Sequence, residues 1–280
     1  MTSQNTTDGP AAGLKGHVAL VTGGLSGLGA AIASRLALDG CDIVILSLGV
    51  PAVAGELRHF ESSAEASQMT ELSEATGTST LVIEGDVASR QDLERTLELS
   101  RHIGEIDIVV NNAGSNCFHP LVGHDEALWR RVIEVNLIAP FLISQVFLPA
   151  MLARGFGRIV SIASTNAHVG SAGYTAYCAS KHGLLGLTRS LALEVAGTGV
   201  TVNTISPSFI DTAGAQLHVH KHAEVNGLSY DEMLAQVLAD LPQGRFIQPD
   251  EVAAAVAFLC AESSESINGA DIPVTGAAVW

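Results

Sequence analysis

The fold is decided near the start of the chain, where residues 17–29 read HVALVTGGLSGLG. The apolar run 17–22 is typical of a buried β-strand, and helical spacing begins at residue 27. Glycines in the turn between them let the backbone bend tightly and approach a pyrophosphate. The amides and the dipole of the following helix then bind the anion. Strand, turn and helix in this order predict a dinucleotide-binding unit.

The same rhythm continues along the chain, because short apolar runs rich in Val and Ile alternate with helical stretches. Such runs are typical of strands buried on both faces. The predicted strands are 17–22, 42–47, 80–84, 107–111, 157–163, 200–206 and 271–275. The predicted helices are 27–39, 61–76, 89–103, 125–153, 174–196 and 249–261. We therefore expect an α/β fold with a single doubly wound parallel sheet and helices on both faces.

Two segments interrupt this alternation, and no linker or repeat divides the chain. Residues 48–60 follow the second strand where a helix usually begins, and residues 208–245 separate the sixth strand from the last helix. Long connections of this kind are often lids or binding elements. We predict a flexible tail over 1–14 and one domain over 15–280, with a helical substrate lid at 208–245.

Composition narrows the class of partner. The 280 residues carry a net charge of −15, and only 15% are charged, against about 25% in average soluble domains. An acidic chain is a poor match for nucleic acid or an anionic membrane. Four scattered cysteines favour free thiols in a reducing compartment, so a cytoplasmic location is expected. We expect no membrane-spanning helix.

The end of the second strand gives an ambiguous signal about the cofactor. Dinucleotide sites usually place an acid there to bind the adenosine ribose, but this chain has Ser47 followed by Leu48. Because neither Ser26 nor Leu48 is basic, we favour NAD, with NADP left open and Arg58 as the nearest cation. Asp86, after the third strand, either reaches the adenine edge or caps the helix 89–103.

The chemistry-bearing residues lie in the second half of the chain. Tyr177 and Lys181 are four residues apart and share one face of a helix. A nearby ammonium lowers the pKa of a phenol, which makes it a usable acid or base. Ser164, just past the strand 157–163, is placed to bind the substrate oxygen. Asn136 lies among apolar neighbours, so its amide must bond a backbone carbonyl or a water leading to Lys181.

Together these motifs resemble the short-chain dehydrogenase/reductase family over about residues 15–280. The matching segments are TGxxxGxG (Thr22 to Gly29), NNAG (Asn111 to Gly114), Asn136, Ser164 and YxxxK (Tyr177 and Lys181). The resemblance implies a Rossmann fold, a nicotinamide cofactor and a homo-oligomer, either a dimer or a tetramer. It also implies a catalytic tetrad. Tyr177 would be the general acid/base, Lys181 would lower its pKa and bind the nicotinamide ribose, Ser164 would orient the substrate oxygen, and Asn136 would hold a proton-relay water.

The resemblance also predicts which residues contact the cofactor, at the glycine-rich turn and the strand ends. They are Gly23, Leu25, Ser26, Gly27, Leu28, Gly29, Ser47, Asp86, Val87, Asn112, Ala113, Gly114, Tyr177, Lys181, Pro207, Ile210 and Thr212. The chain departs from the family at Ser206-Pro207-Ser208, where Pro-Gly is usual, and at Thr275-Gly276-Ala277, where Asp-Gly-Gly is usual.

The substrate pocket is expected to be walled by polar and aromatic residues. They are Asn116, Phe118, Asn166, Tyr174 and Phe209. Because none is a cation, we expect hydride transfer to or from a neutral secondary alcohol or ketone, cyclic or aromatic. One alternative is a dehydrogenase of 3-hydroxy acids, because the lid is similar in length to that of 3-hydroxybutyrate dehydrogenases. The other is a catalytically silent nucleotide-binding regulator.

The lid also contains the run His218, His220 and His222, which is either a metal site or an exposed polar surface. No carboxylate or cysteine completes a ligand set, so we favour the polar surface and expect no metal.

Overall fold

A computed structural model of the chain describes residues 14–51, 57–58 and 64–278. The strands of this part, in chain order, are β1 (Val18–Thr22), β2 (Asp42–Ser47), β3 (Val50–Pro51), β4 (Leu57–Arg58), β5 (Thr80–Glu84), β6 (Ile106–Asn111), β7 (Gly157–Ile162), β8 (Val200–Pro207) and β9 (Asp271–Val274). Seven of them form one sheet in the order β5-β2-β1-β6-β7-β8-β9, and all their pairings are parallel. This is the predicted doubly wound sheet, and its strand order reverses between β1 and β6, where ligands bind in such folds.

Helices cover both faces of the sheet. They are α1 (Gly27–Leu38), α2 (Ala64–Thr76), α3 (Arg90–Ser100), α4 (Glu126–Ile133), α5 (Ala139–Arg154), α6 (Thr175–Glu194), α7 (Ala213–Asn226), α8 (Tyr230–Ala239) and α9 (Pro249–Cys260). Side chains alternate along β1, so Ala19 and Val21 face the layer of α1 and α9, while Leu20 faces the layer of α3 and α5. Burial on both faces explains why the strands are almost continuously apolar.

The predicted helix 125–153 is interrupted. A π-helical turn over Glu134–Ile138 separates α4 from α5, and the buried Asn136 lies within it. Such turns are rare and occur often at functional sites, where they shift one side chain relative to the regular helix. Sequence periodicity does not detect them, because one wide turn leaves the apolar pattern almost unchanged.

The combined helix Glu126–Arg154 bears on the expectation that no helix spans a membrane. Its 29 residues are long and apolar enough to cross a membrane by length and composition alone. However, Ile143, Phe147 and Met151 are buried against the sheet, and Asn136 lies at the site described below. Core helices of globular proteins pass the same test, and this one packs as a core helix.

Two further expectations change at the edges of the domain. Leu14, assigned to the tail, is buried in the core and its carbonyl lies 3.6 Å from the Cys41 thiol. Residues 1–13 of the predicted tail lie outside the described residues. The 48–60 segment contributes the short antiparallel pair of β3 and β4, whereas the side chain of Arg58 lies outside the described part of the chain.

The predicted lid segment, residues 208–245, contains α7 and α8. Thr212 caps α7 by accepting a hydrogen bond from the Ala215 amide. Ser229 and Glu232 form a capping box at the start of α8. These caps start two separate helices within a segment for which the sequence predicted only a helical lid.

Candidate active site

The glycine-rich turn lets a ligand come close to the backbone at the edge of the sheet. Gly23 has a φ of +64°, which favours glycine. A Cβ atom at Gly29 would collide with the Gly23 carbonyl oxygen and the Asn112 side chain. The Thr22 hydroxyl accepts hydrogen bonds from the Asn112 and Ala113 amides, both at 3.0 Å. The turn and the end of β6 are therefore held together as one rigid wall.

This wall borders a cleft of about 440 Å³. Predicted cofactor residues that line it are Gly23, Ser26, Leu28, Gly29, Ser47, Val87, Asn112, Ala113 and Gly114. A smaller adjoining cavity is lined by Tyr177, Lys181, Pro207 and Ile210, and both cavities touch Leu28, Asn112 and Gly114. The cavities together run along the sheet edge from β2 to β8, and this extended shape and the glycine cradle fit a dinucleotide.

Four predicted cofactor residues are not among those that line these two cavities. The Leu25 side chain is buried in the core. Gly27 lies beside Thr212, and Thr212 lines the substrate pocket. Asp86 is paired with Arg131 at 2.8 Å and is absent from the residues that line the cleft. The alternative prediction, that Asp86 caps α3, is wrong. The cap of this helix is Ser89, whose hydroxyl accepts a hydrogen bond from the Asp92 amide.

Arg131 is a cleft residue that the sequence reasoning missed. It lines the cleft from α4, together with Ser47 at the end of β2, and it forms ion pairs with Asp86 and Glu134. Its distance along the chain from the glycine-rich turn hides it, because only the packing of α4 brings it to this edge.

The predicted catalytic residues meet at the end of β7. The Lys181 ammonium lies 5.6 Å from the centre of the Tyr177 ring and donates a hydrogen bond of 2.6 Å to the Ile162 carbonyl. Ser164 follows β7 and lines the same cavity as Tyr177 and Lys181. One face of α6 and one strand end thus bring Ser164, Tyr177 and Lys181 together, as the sequence predicted.

The electrostatics of this group differ from the expectation. Burial raises the pKa of the Tyr177 phenol, and the hydrogen bond from Ser164 only partly opposes it. Burial also lowers the pKa of Lys181 to about 8. The predicted lowering of the Tyr177 pKa is therefore not found in the protein alone, because desolvation outweighs the contribution of Ser164. The phenol keeps its proton at neutral pH.

Asn136 connects two parts of the site. Its side-chain oxygen accepts the Ser115 amide at 2.8 Å, and its amide nitrogen donates to the Ser115 carbonyl and the Ser180 hydroxyl. The expectation that this buried amide binds a backbone carbonyl is confirmed. Its side chain fastens the segment after β6 to the catalytic helix α6, and the role of holding a relay water stays a prediction.

The substrate pocket adjoins Ser164 and Tyr177 and has a volume of about 470 Å³. Asn116, Asn166, Tyr174 and Phe209 line it, as predicted. Phe118 packs behind this lining, with its ring 5.2 Å from that of Tyr174. Further lining residues are Thr165, Ser171, Ser208, Ile210, Thr212, Gly214, Ala215, His218 and His222.

The histidines of the lid correct the sequence interpretation. His218 and His222 lie one turn apart on α7 and both face the pocket, where they contact the Tyr174 hydroxyl at 3.1 and 3.2 Å. His220 instead packs against the ring of Tyr230, 4.2 Å away. The polar-surface interpretation is therefore wrong for two of the three. Among the described residues, no group of three or more His, Cys, Asp or Glu side chains is placed to hold a metal ion.

The chain matches a known family model. The model described as short chain dehydrogenase matches residues 17–223. The chain belongs to the short-chain dehydrogenase/reductase family. It is an oxidoreductase of that family, and its cleft fits a nicotinamide dinucleotide.

Individual relatives cover nearly all of the chain. An acetoacetyl-CoA reductase of Allochromatium vinosum is 37% identical, over 93% of this chain and 97% of that protein. A D-beta-hydroxybutyrate dehydrogenase of Cupriavidus necator is 34% identical, over 92% and 95%. A solved structure of a variant actinorhodin polyketide ketoreductase with NADPH superimposes with a TM-score of 0.84 at 33% identity, over 95% of this chain and 98% of that one.

Proposed function

We propose that this short-chain dehydrogenase transfers hydride between NAD and a neutral secondary alcohol or ketone, cyclic or aromatic. One observation carries the choice of substrate. Among the described residues, the side chains that line the substrate pocket include amides, hydroxyls, aromatic rings and two histidines, but no Lys, Arg, Asp or Glu. A carboxylate or a phosphate would enter this pocket without a fixed charge to compensate its desolvation.

The catalytic roles follow from the geometry at the end of β7. When bound, the nicotinamide supplies or accepts the hydride. In reduction, the Tyr177 phenol donates its proton to the carbonyl oxygen, because the pKa of this phenol is raised and it is protonated at neutral pH. The Ser164 hydroxyl binds the same oxygen as negative charge develops. Lys181 lies 5.6 Å from the centre of the Tyr177 ring and lines the cavity that adjoins the cleft.

The preference for NAD rests on the end of β2. Ser47, Leu48 and Gly49 line the cleft there and carry no positive charge for a 2′-phosphate. The cation that does line the cleft, Arg131, is already paired with Asp86 at 2.8 Å. Binding a 2′-phosphate through Arg131 would require breaking that pair.

A ketoacyl thioester is the strongest competing substrate, since the similar acetoacetyl-CoA reductase is named for one. Coenzyme A carries phosphates, which bind best to basic surfaces. The lid is acidic instead, because residues 213–240 contain one basic residue, Lys221, and four acidic ones, Glu224, Asp231, Glu232 and Asp240. A hydroxy acid fits less well for the same reason. We therefore favour a free ketone over a thioester or an acid.

The test is a turnover assay that follows nicotinamide absorbance with NAD(H) and NADP(H) in parallel. We expect activity on neutral ketones such as acetophenone and cyclohexanone and on their alcohols. Higher kcat/KM for acetoacetyl-CoA or 3-hydroxybutyrate than for every neutral substrate would contradict the proposal. Dinucleotide binding without turnover of any of these substrates would favour a silent regulator.

We also propose a homo-oligomer in the cytoplasm. Large apolar side chains are exposed on α4, α5 and α6, among them Leu128, Phe141 and Leu193. Such faces are often covered in assemblies. The four cysteines are free, as expected in a reducing compartment. Light scattering after size-exclusion chromatography tests the assembly, and a mass of one chain would contradict it.

A further inference from the structure

The substrate pocket that Ser164 lines also contains a cluster that the proposed reaction does not use. Tyr174, three residues before the catalytic Tyr177, places its hydroxyl between two imidazoles of the lid helix α7. The oxygen lies 3.1 Å from His218 Nδ1 and 3.2 Å from His222 Nε2. The two imidazole rings are 4.2 Å apart, and Phe118 packs against both Tyr174 and His222. The cluster is therefore held from several sides.

The hydrogen bonds of this cluster constrain the tautomers. A phenol has one proton, so it can donate to only one of the two imidazole nitrogens, and the other nitrogen must donate to it. In either arrangement His218 engages Tyr174 through Nδ1. Its Nε2 has no hydrogen-bond partner among the described residues, although His218 lines the pocket.

The charge of His218 is also defined by its surroundings. Burial and the neighbouring His222 and Lys221 lower the pKa of His218. A neutral imidazole bound through Nδ1 presents one fixed polar atom at Nε2, either a donor or an acceptor. A ligand that buried this atom without a hydrogen-bond partner would lose affinity.

We propose that His218 is a specificity-determining residue whose Nε2 binds a second oxygen of the substrate, separate from the oxygen that Tyr177 protonates. Tyr174 and His222 are positioning residues that fix its tautomer and orientation. The substrate class is then a cyclic or aromatic ketone with a further hydroxyl or carbonyl group. This inference rests on the proposed function and makes its substrate class narrower.

The experiment compares matched substrates that differ by one oxygen. The ortho, meta and para hydroxyacetophenones are compared with acetophenone, and hydroxycyclohexanones with cyclohexanone, as kcat/KM. For each enzyme, the ratio is kcat/KM for the hydroxylated ketone divided by kcat/KM for its parent ketone. The ratio in each variant is then compared with the ratio in the wild type. The intrinsic reactivity of each ketone cancels in this comparison.

Two substitutions test the two ring nitrogens of His218 separately. In His218→Asn the amide reaches the position of Nδ1 and keeps the Tyr174 contact, but nothing replaces Nε2. In His218→Gln the amide reaches the position of Nε2. For the best isomer, we expect His218→Asn to lower the ratio about tenfold, while the parent ketone changes less than about threefold. We expect His218→Gln to retain most of the preference.

His220→Asn is the matched control, since His220 lies on the same helix but packs against Tyr230. It should leave both kcat/KM values and the ratio unchanged. Equal melting temperatures and dinucleotide affinities show that the variants are folded. A lid merely loosened by the substitution would lower kcat/KM for parent and hydroxylated ketones alike.

The outcomes distinguish the two proposals. If the wild type turns over hydroxylated and parent ketones with an unchanged ratio in His218→Asn, the inference about His218 is wrong and the proposed function stands. If the wild type turns over neither kind of ketone, the proposed function itself is wrong.

Discussion

The cofactor cleft and the substrate pocket share the same edge of the sheet but are built differently. The cleft is shaped by the backbone of the glycine-rich turn, at Gly23 and Gly29, and by the hydrogen bonds that join Thr22 to the end of β6. The pocket is made of side chains from separate segments, such as Asn116, Tyr174 and His218. A ligand common to many enzymes can be bound by a local backbone motif, whereas selectivity needs side chains that only folding brings together.

The two regions should also respond differently to substitution. A change in the cleft should affect every substrate equally, because each substrate needs the same cofactor. A change in the pocket should affect one substrate more than another. The following predictions test that contrast and its limits.

The largest effect is expected where the two regions meet, at Tyr177. Tyr177→Phe removes the proton donor and should lower kcat by roughly 10²- to 10⁴-fold for all substrates. Dinucleotide affinity, measured by nicotinamide fluorescence, should stay within about threefold. Tyr174→Phe is the matched control, since it removes only the contacts to the lid histidines. A Tyr177→Phe enzyme within tenfold of the wild type would show that another group supplies the proton.

A pair of glycines tests the contrast itself. Gly29→Ala places a Cβ atom against the Gly23 carbonyl and Asn112, so dinucleotide binding should weaken by roughly 30- to 100-fold. At Gly214, in the substrate pocket, a Cβ atom meets only the Thr212 hydroxyl at an ordinary 3.7 Å. Gly214→Ala should leave dinucleotide binding unchanged and alter only the KM for the ketone. Equal effects of the two changes on dinucleotide affinity would remove the contrast.

Lys181 should make stability depend on pH. Its folded pKa is about 8, below the ordinary value near 10.4, so between these values the unfolded chain binds more protons. Stability therefore rises with pH over this window, by up to about 3 kcal/mol from this group. Urea unfolding at about pH 7 and pH 10 should show the rise in the wild type.

The rise should be lost in Lys181→Met, which has no ammonium to desolvate. Lys221→Met, at an exposed lid position, should behave like the wild type. If Lys181→Met keeps the same pH dependence as the wild type, Lys181 is not the group responsible.

The smallest effect is expected at the ribose end of the cleft. Ser47→Asp restores the acid usual at this position and should shift the ratio of kcat/KM for NAD over NADP about tenfold toward NAD. Ser47→Ala, which adds no charge, should shift it far less. An unchanged ratio in Ser47→Asp would show that the adenosine ribose lies away from the end of β2.

Much of the cleft and of the fold was predictable from the sequence. Buried parallel strands are read from continuous Val and Ile runs, and the glycine-rich turn and the pair of Tyr177 and Lys181 are defined by local spacing. The π-helical turn at Asn136 was not predictable, because it changes the path of one turn without changing the apolar pattern. Arg131 and the role of Asp86 were missed since their pairing joins segments far apart in the chain.

The lid shows the same limit most clearly. The spacing of His218, His220 and His222 was visible, yet the sequence did not indicate which side of α7 faces the pocket. Only the packing of α7 over Tyr174 and Phe118 turns two of these histidines inward and leaves the third against Tyr230.

The sequence by itself determined the parallel sheet, the family motifs and which residues are proposed as catalytic, because these depend on short-range spacing and on burial. The tertiary structure decided the direction in which the Tyr177 pKa shifts, the partners of Asn136 and Arg131, and the inward orientation of His218. Desolvation and hydrogen bonding depend on which distant residues surround a group, and that is fixed only when the chain is packed.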